Sequence, residues 1–227
     1  MTASDELDRA IGDLLDEAIA AGVCSAAAVA VGAPGRGGRW IRGTTAAVPD
    51  RGAPVTAATR FDLASLTKPI ATATVVWDLV ARGRLALDAP AARWLPALDP
   101  AITVEHLLGH ASGLPAHVKL YERLWAGERV ADLDARGSLI AMATATPLER
   151  APGAAAVYSD LGYIALAAVA ERAGDAPLEA LVAEALAPLE LVATGFVDLR
   201  TPGPRPAAPA TELCPRRGLV VGEVHDE

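Results

Sequence analysis

Apolar residues recur at helical spacing from Leu7 through Ile11, Leu14, Leu15, Ala18 and Ile19, with acidic residues between them, until Gly22. This pattern predicts a first helix, capped by Ser4, that lies on a sheet. Two short apolar runs follow, 26–31 and 39–45, separated by the glycine-rich turn 32–38. They predict a β-hairpin. Beyond a loop with Pro and Gly, a helical stretch is expected from about Ser65 to Arg82, stopped by Gly83, a residue suited to a left-handed helix end. Pro69 falls near its first turn, where a missing N–H costs little.

The remainder reads as mostly helical. Thr103 caps a short helix through Leu108, a second lies near Gly137 to Thr144, Ser159 or Asp160 opens a third ending at Gly174, and a fourth spans about Pro177 to Ala187. From Thr201 to Pro215 the chain turns to Pro and Ala, which reads as an extended surface connection. The order is helix, two strands, many helices, then an unfinished return, with no internal repeat. Two strands alone cannot bury both faces of a sheet.

Composition narrows the function classes. A chain of 227 residues with 52% apolar content can bury a real core, so one domain, or one with a helical insertion, is expected rather than disorder. The net charge of −8 supplies no positive field for a phosphate backbone, which sets nucleic acid aside. Cys24 and Cys214 are too few and too far apart for a disulfide framework or a metal knuckle, and read as small apolar fillers. The acidic, amphipathic start lacks the pattern of a signal peptide, and no run reaches the roughly 18–20 apolar residues of a membrane span. A cytoplasmic protein without a membrane span is the expectation.

Within Phe61-Asp-Leu-Ala-Ser65-Leu-Thr-Lys68 a hydroxyl and an amine lie three residues apart, one face of a helix. Serine needs a neighbouring base to act as a nucleophile, and a partly desolvated lysine can lose its proton where arginine cannot. The chain has only two lysines, Lys68 and Lys119, against eighteen arginines, so lysine here is informative. A helix start also gathers unpaired N–H groups that suit an oxyanion, with the Ser65 N–H as one donor. The alternative is an ordinary N-cap at Ser65 and a solvated Lys68, since Ser-x-x-Lys alone is common. Ala156-Val-Tyr158-Ser-Asp160 places a phenol just before a helix start; beside Lys68, Tyr158 could take the Ser65 proton and return it to a leaving group. Otherwise Tyr158 packs and Asp160 caps the helix. Tyr163 belongs to an apolar stripe and is assigned no chemistry.

With both motifs in view, the chain resembles the superfamily of class C β-lactamases, penicillin-binding proteins, D-alanyl-D-alanine carboxypeptidases and related esterases. Phe61 to Lys68 is similar to its nucleophile segment. Ile102-Thr-Val-Glu-His-Leu-Leu-Gly-His-Ala-Ser-Gly-Leu-Pro115 is similar to its helix-and-turn signature, Tyr158-Ser-Asp160 to its Tyr-x-Asn motif, and Pro188-Leu-Glu-Leu-Val-Ala-Thr-Gly-Phe196 to the segment after it. Four segments agree in order and spacing, from about Gly22 onward. The resemblance implies an α+β fold of the β-lactamase/transpeptidase type: an antiparallel sheet flanked by helices plus a helical subdomain. Residues 1–60 would supply the first helix and strands, 61–200 the mostly helical part with the nucleophile, and 201–227 an extended segment. The later strands would be missing, since the sequence ends before the family's third, Lys- or His-containing motif. That loss would expose a sheet edge open to self-association.

It further implies acyl-enzyme chemistry on a small-molecule ester or amide, with Ser65, Lys68 and Tyr158 catalytic, Asp160 at the substrate, and no cofactor or metal. Asp160 stands where many relatives carry Asn, exchanging a donor for an acceptor, so anionic substrates should be less welcome. Two other outcomes stay open: a catalytically silent truncated homologue serving as an interaction module, and an acyltransferase using a non-water acceptor. His106 and His110, four apart, lack a third ligand and belong to the structural turn. His225 and Asp226 read as loop; Asp88, Glu105 and the N-terminal acids read as solvated faces or caps.

Overall fold

The glycine-rich turn between two apolar runs does produce a hairpin: β1 (Ala26–Ala33) pairs antiparallel with β2 (Arg36–Gly43), Val29 opposite Trp40. The computed structural model describes residues 3–33, 36–48, 51–199, 208–215 and 217–223. They divide into two compact units, Met1–Ala64 with Asp198–Glu227, and Ser65–Val197.

In the first unit, α1 (Ala3–Ala20) packs on β2, with Leu15 buried and Asp16 paired to Arg42 at 3.5 Å. Two of the six predicted stripe positions, Leu7 and Leu14, stay exposed. The helix already includes Ser4, and the Ser4 side chain lies outside the described residues, as do His225 and Asp226. The supposed extended connection is corrected in its second half. There β3 (Ala210–Cys214) and β4 (Gly218–Val221) form a second antiparallel hairpin. Cys214 and Val220 turn inward while Leu213, Leu219 and Val221 turn out, a period-2 pattern that the flanking prolines obscure. The Ala210 N–H donates to Thr45 O at 2.6 Å, tying this hairpin to the end of the first. With helices and two small antiparallel sheets, the class is α+β.

The second unit is helical and centred on α6 (Asp160–Gly174), which packs against α2 (Thr74–Ala81), α3 (Val104–Leu108), α5 (Ala135–Thr144) and α7 (Leu178–Leu186), while α4 (Leu120–Trp125) packs on α5. Leu161, Ala165, Leu166, Val169 and Ala170 of α6 are essentially inaccessible, packed with Val75, Val76 and Leu79 of α2 and Leu107 of α3. Burying each such leucine stabilises the fold by about 1.5–3 kcal/mol before chain entropy is counted. Thr103 caps α3 as expected, and His106 completes the reciprocal bond a Glu or Gln usually makes, its Nδ1 accepting from the Thr103 N–H. The short α4 was not anticipated from the sequence.

The expected single helix from Ser65 to Arg82 is corrected. It breaks into a 3-10 turn (Ala64–Leu66), a π-helical segment (Lys68–Ala73) and α2. Pro69 cannot donate a backbone bond, and the Thr74 hydroxyl donates to the Pro69 carbonyl at 3.0 Å, drawing the ladder into wider turns. The predicted stop is found: Gly83 adopts φ +68° just beyond Arg82.

Candidate active site

Ser65 is exposed in the 3-10 turn, directly after Ala64, whose φ of +45° is unusual for a residue with a Cβ. Asp62 Oδ1 accepts the Ala64 N–H at 2.9 Å and helps hold that conformation. One turn on, Lys68 Nζ donates to Ser65 Oγ at 3.3 Å. The spacing that suggested the pair therefore brings it together.

The second wall comes from the loop entering α6. Ser159, 1% exposed, accepts the Gly162 N–H at 3.1 Å and donates to Pro115 O at 2.6 Å, capping α6 and pinning the turn after Gly113. Ser159 is the cap, not Asp160. At Gly113 φ is +83°, and a Cβ would lie 2.1 Å from the Arg150 carbonyl oxygen, so only glycine fits. The Asp160 N–H donates to Ala116 O at 2.9 Å, which aligns the start of α6 with residues 115–117.

From this wall, Asp160 Oδ1 pairs with Lys68 Nζ at 2.7 Å, and the ammonium sits 4.9 Å from the centre of the Tyr158 ring. Burial pushes the Lys68 ammonium toward losing its proton, but the Asp160 carboxylate and Tyr158 outweigh it and leave the pKa above the ordinary lysine value. The desolvated, proton-shedding lysine expected from sequence is thus opposed by its own neighbour. For Asp160, burial raises the carboxyl, yet Lys68 and then His117 bring it below the usual range. The carboxylate and the ammonium hold each other ionised.

Two histidines complete the site, and neither was assigned to it from sequence. His110 Nδ1 accepts the Ser159 N–H at 3.0 Å, and its ring lies 4.6 Å from both Tyr158 and Tyr163. Burial, aided by Lys68, lowers its pKa, which suits a neutral ring with a free lone pair on Nδ1. His110 thus serves as a wedge behind Tyr158. With Nδ1 of His106 and of His110 both accepting backbone N–H groups, neither is poised as a metal ligand there. Tyr163 donates its hydroxyl to Leu108 O at 3.1 Å and is core, as expected. His117 Nδ1 lies 3.2 Å from Asp160 Oδ2. No local pattern signals that contact, which joins residues 43 apart.

Ser65, Lys68, Tyr158 and Asp160 therefore converge within the second unit, on two of the four segments that resemble one superfamily. The family profile described as Beta-lactamase matches residues 11–226. The chain belongs to the beta-lactamase family. Among related proteins, Esterase EstB of Burkholderia gladioli is 42% identical over 164 residues, 65% of this chain and 41% of the esterase. The chain thus spans less than half the length of that family member. Of solved structures, SurE superposes with a TM-score of 0.71 at 26% identity, over 92% of this chain and 45% of its own. EstCE1, described as a hydrolase with promiscuous acyltransferase activity, gives a TM-score of 0.71 at 25% identity, over 87% of this chain and 55% of its own. The beta-lactamase/transpeptidase-like fold expected from the motifs is the fold observed. Among the described residues, no helix is long and apolar enough to cross a membrane.

Proposed function

We propose that this chain carries the nucleophile half of a serine acyl-transfer centre acting on small esters or amides. The observation that carries the reading is the Ser65 Oγ to Lys68 Nζ contact of 3.3 Å with Tyr158 over the same amine. Ser65 Oγ bonds to the acyl carbon while its proton passes to the Lys68 and Tyr158 pair, and the bond to the leaving group breaks as that group takes the proton. Water then adds to the ester on Ser65, and the serine is restored. The Ser65 N–H, at the start of its turn, is a donor toward the oxyanion.

Because Lys68 rests as an ammonium, the reactive form is the minor one near neutrality, and reactivity rises with pH through the elevated lysine value. The Asp160 carboxylate disfavours acyl groups that carry their own negative charge. A neutral p-nitrophenyl ester should give a stoichiometric burst of nitrophenolate that vanishes in Ser65→Ala. A burst that persists in Ser65→Ala contradicts the assignment. The resemblance to EstCE1 supports a second acceptor, an alcohol in place of water. Product analysis with added alcohol reads this directly: an alkyl ester of the acyl group supports it, free acid alone opposes it.

A further inference from the structure

Asp160 offers its two carboxylate oxygens to two different cation-forming groups. Oδ1 faces Lys68 Nζ at 2.7 Å, and Oδ2 faces His117 Nδ1 at 3.2 Å. An ionised carboxylate only accepts, so the histidine proton on this side must sit on Nδ1. Two bonds to backbone carbonyls hold the two partners in register: the Ser159 hydroxyl donates to Pro115 O at 2.6 Å and the Asp160 N–H to Ala116 O at 2.9 Å. Neither bond depends on the His117 side chain.

We infer that His117 is a positioning residue: by donating from Nδ1 to Asp160 Oδ2, it shares the carboxylate with Lys68 and so sets how firmly Asp160 grips the amine beside Ser65. The significance for catalysis rests on the acyl-transfer reading above; the coupling itself does not. The titratable groups facing Lys68 are Asp160, Tyr158, His110 and Tyr163, and those facing Asp160 are Lys68, His110 and His117. His117 is the member of this set that touches the carboxylate without touching the serine or its amine. Removing its bond leaves Asp160 with Lys68 as its remaining side-chain donor among these contacts, and the grip tightens.

The chain's two lysines allow a direct test. Trace acetylation with acetic anhydride across pH, read by peptide mass, reports how much of each amine is unprotonated. Ser65→Ala serves as the background, so that no acetyl group reaches Lys68 through the serine. Lys119, with a side chain 62% exposed, is the internal reference. His117→Leu should raise the Lys68 midpoint by about 0.2–0.7 pH unit, equivalent to two- to fivefold lower reactivity at a fixed pH below it. His117→Asn, which places an amide donor near the former Nδ1, should restore the original midpoint. Superimposable Lys68 profiles in the parent and His117→Leu overturn the inference, as does an Asn variant that behaves like Leu. Should the Leu variant unfold, His117→Ala takes its place and is read the same way: a raised Lys68 midpoint supports the coupling and an unchanged one refutes it. A missing nitrophenolate burst alongside a responsive Lys68 profile would sink the acyl-transfer reading and leave the His117 coupling standing.

Discussion

The two compact units of this chain are built to different depths. In the helical unit, α6 is enclosed by α2, α3, α5 and α7, and a continuous run of its residues, from Leu161 to Ala170, is largely inaccessible. In the unit made of α1 and the two hairpins, buried apolar side chains among the described residues are few: Leu15, Trp40, Ala46, Val55, Cys214 and Val220. Leu14 is 63% exposed on the same helix that buries Leu15. The difference shows where precision is held. The candidate site residues Ser65, Lys68, Tyr158 and Asp160 ride on the enclosed unit, where the Ser159 cap and the Gly113 turn hold the entry to α6. The other unit leaves Leu7, Leu14, Val31, Leu213 and Val221 exposed.

Substitutions can sharpen or break that contrast. Leu166→Ala, at a wholly buried position, should cost about 2–5 kcal/mol of stability in denaturant melts. Next comes Gly113→Ala, which meets the Arg150 carbonyl at a positive φ and should cost about 1–3 kcal/mol. It should also disturb the Ser159 to Pro115 tie, so that labelling of Ser65 falls even in the folded fraction. Asp160→Asn should cost on the order of 1 kcal/mol or less, because the pair is partly solvated. Its pH dependence has a definite sign. The raised Lys68 value gives stability that is present below the unfolded lysine value and is lost as pH rises through the folded one. The lowered Asp160 value gives stability that is present above the unfolded carboxyl value and is lost as pH falls through the folded one. The melting difference between wild type and Asp160→Asn should therefore be widest around neutrality and close at both extremes. The same variant should move the alkaline rise of Ser65 reactivity to lower pH, since burial then acts on Lys68 with less opposition. Smallest of all, Leu14→Ser on the exposed face should shift stability by less than about 0.5 kcal/mol; a loss as large as that of Leu166→Ala would erase the contrast.

What the sequence revealed follows the range of the interactions. The first hairpin was legible because seven glycine-rich residues, 32–38, separate its two apolar runs. Gly83 as a stop, Thr103 as a cap and Ser159 as the opening of α6 were legible for the same reason: each acts on its own turn. Ser65 and Lys68 were found by one-turn spacing, and Tyr158 and Asp160 by motif resemblance. The breakdown of 65–82 into three helical forms was not legible, because Pro69 at a first turn is ordinarily harmless and a threonine hydroxyl has several carbonyls of the preceding turn to choose from. The second hairpin was hidden by Pro and Ala around it, which weaken the period-2 signal. His110 and His117 were missed because their partners, Ser159 and Asp160, are distant in sequence and close only through the pinned turn. The replacement of Asn by Asp was noticed for its effect on substrate charge; its hold on Lys68 required the distances.

The central claim is that Ser65 is a nucleophile activated by Lys68. The most direct measurement is intact and peptide mass after treatment of the folded chain with a fluorophosphonate, at rising pH. The account predicts a stoichiometric adduct on Ser65 whose rate of formation climbs with pH, is abolished in Ser65→Ala and is strongly reduced in Lys68→Arg. A folded chain that stays unlabelled at every pH, or labels equally in Lys68→Arg, would contradict it.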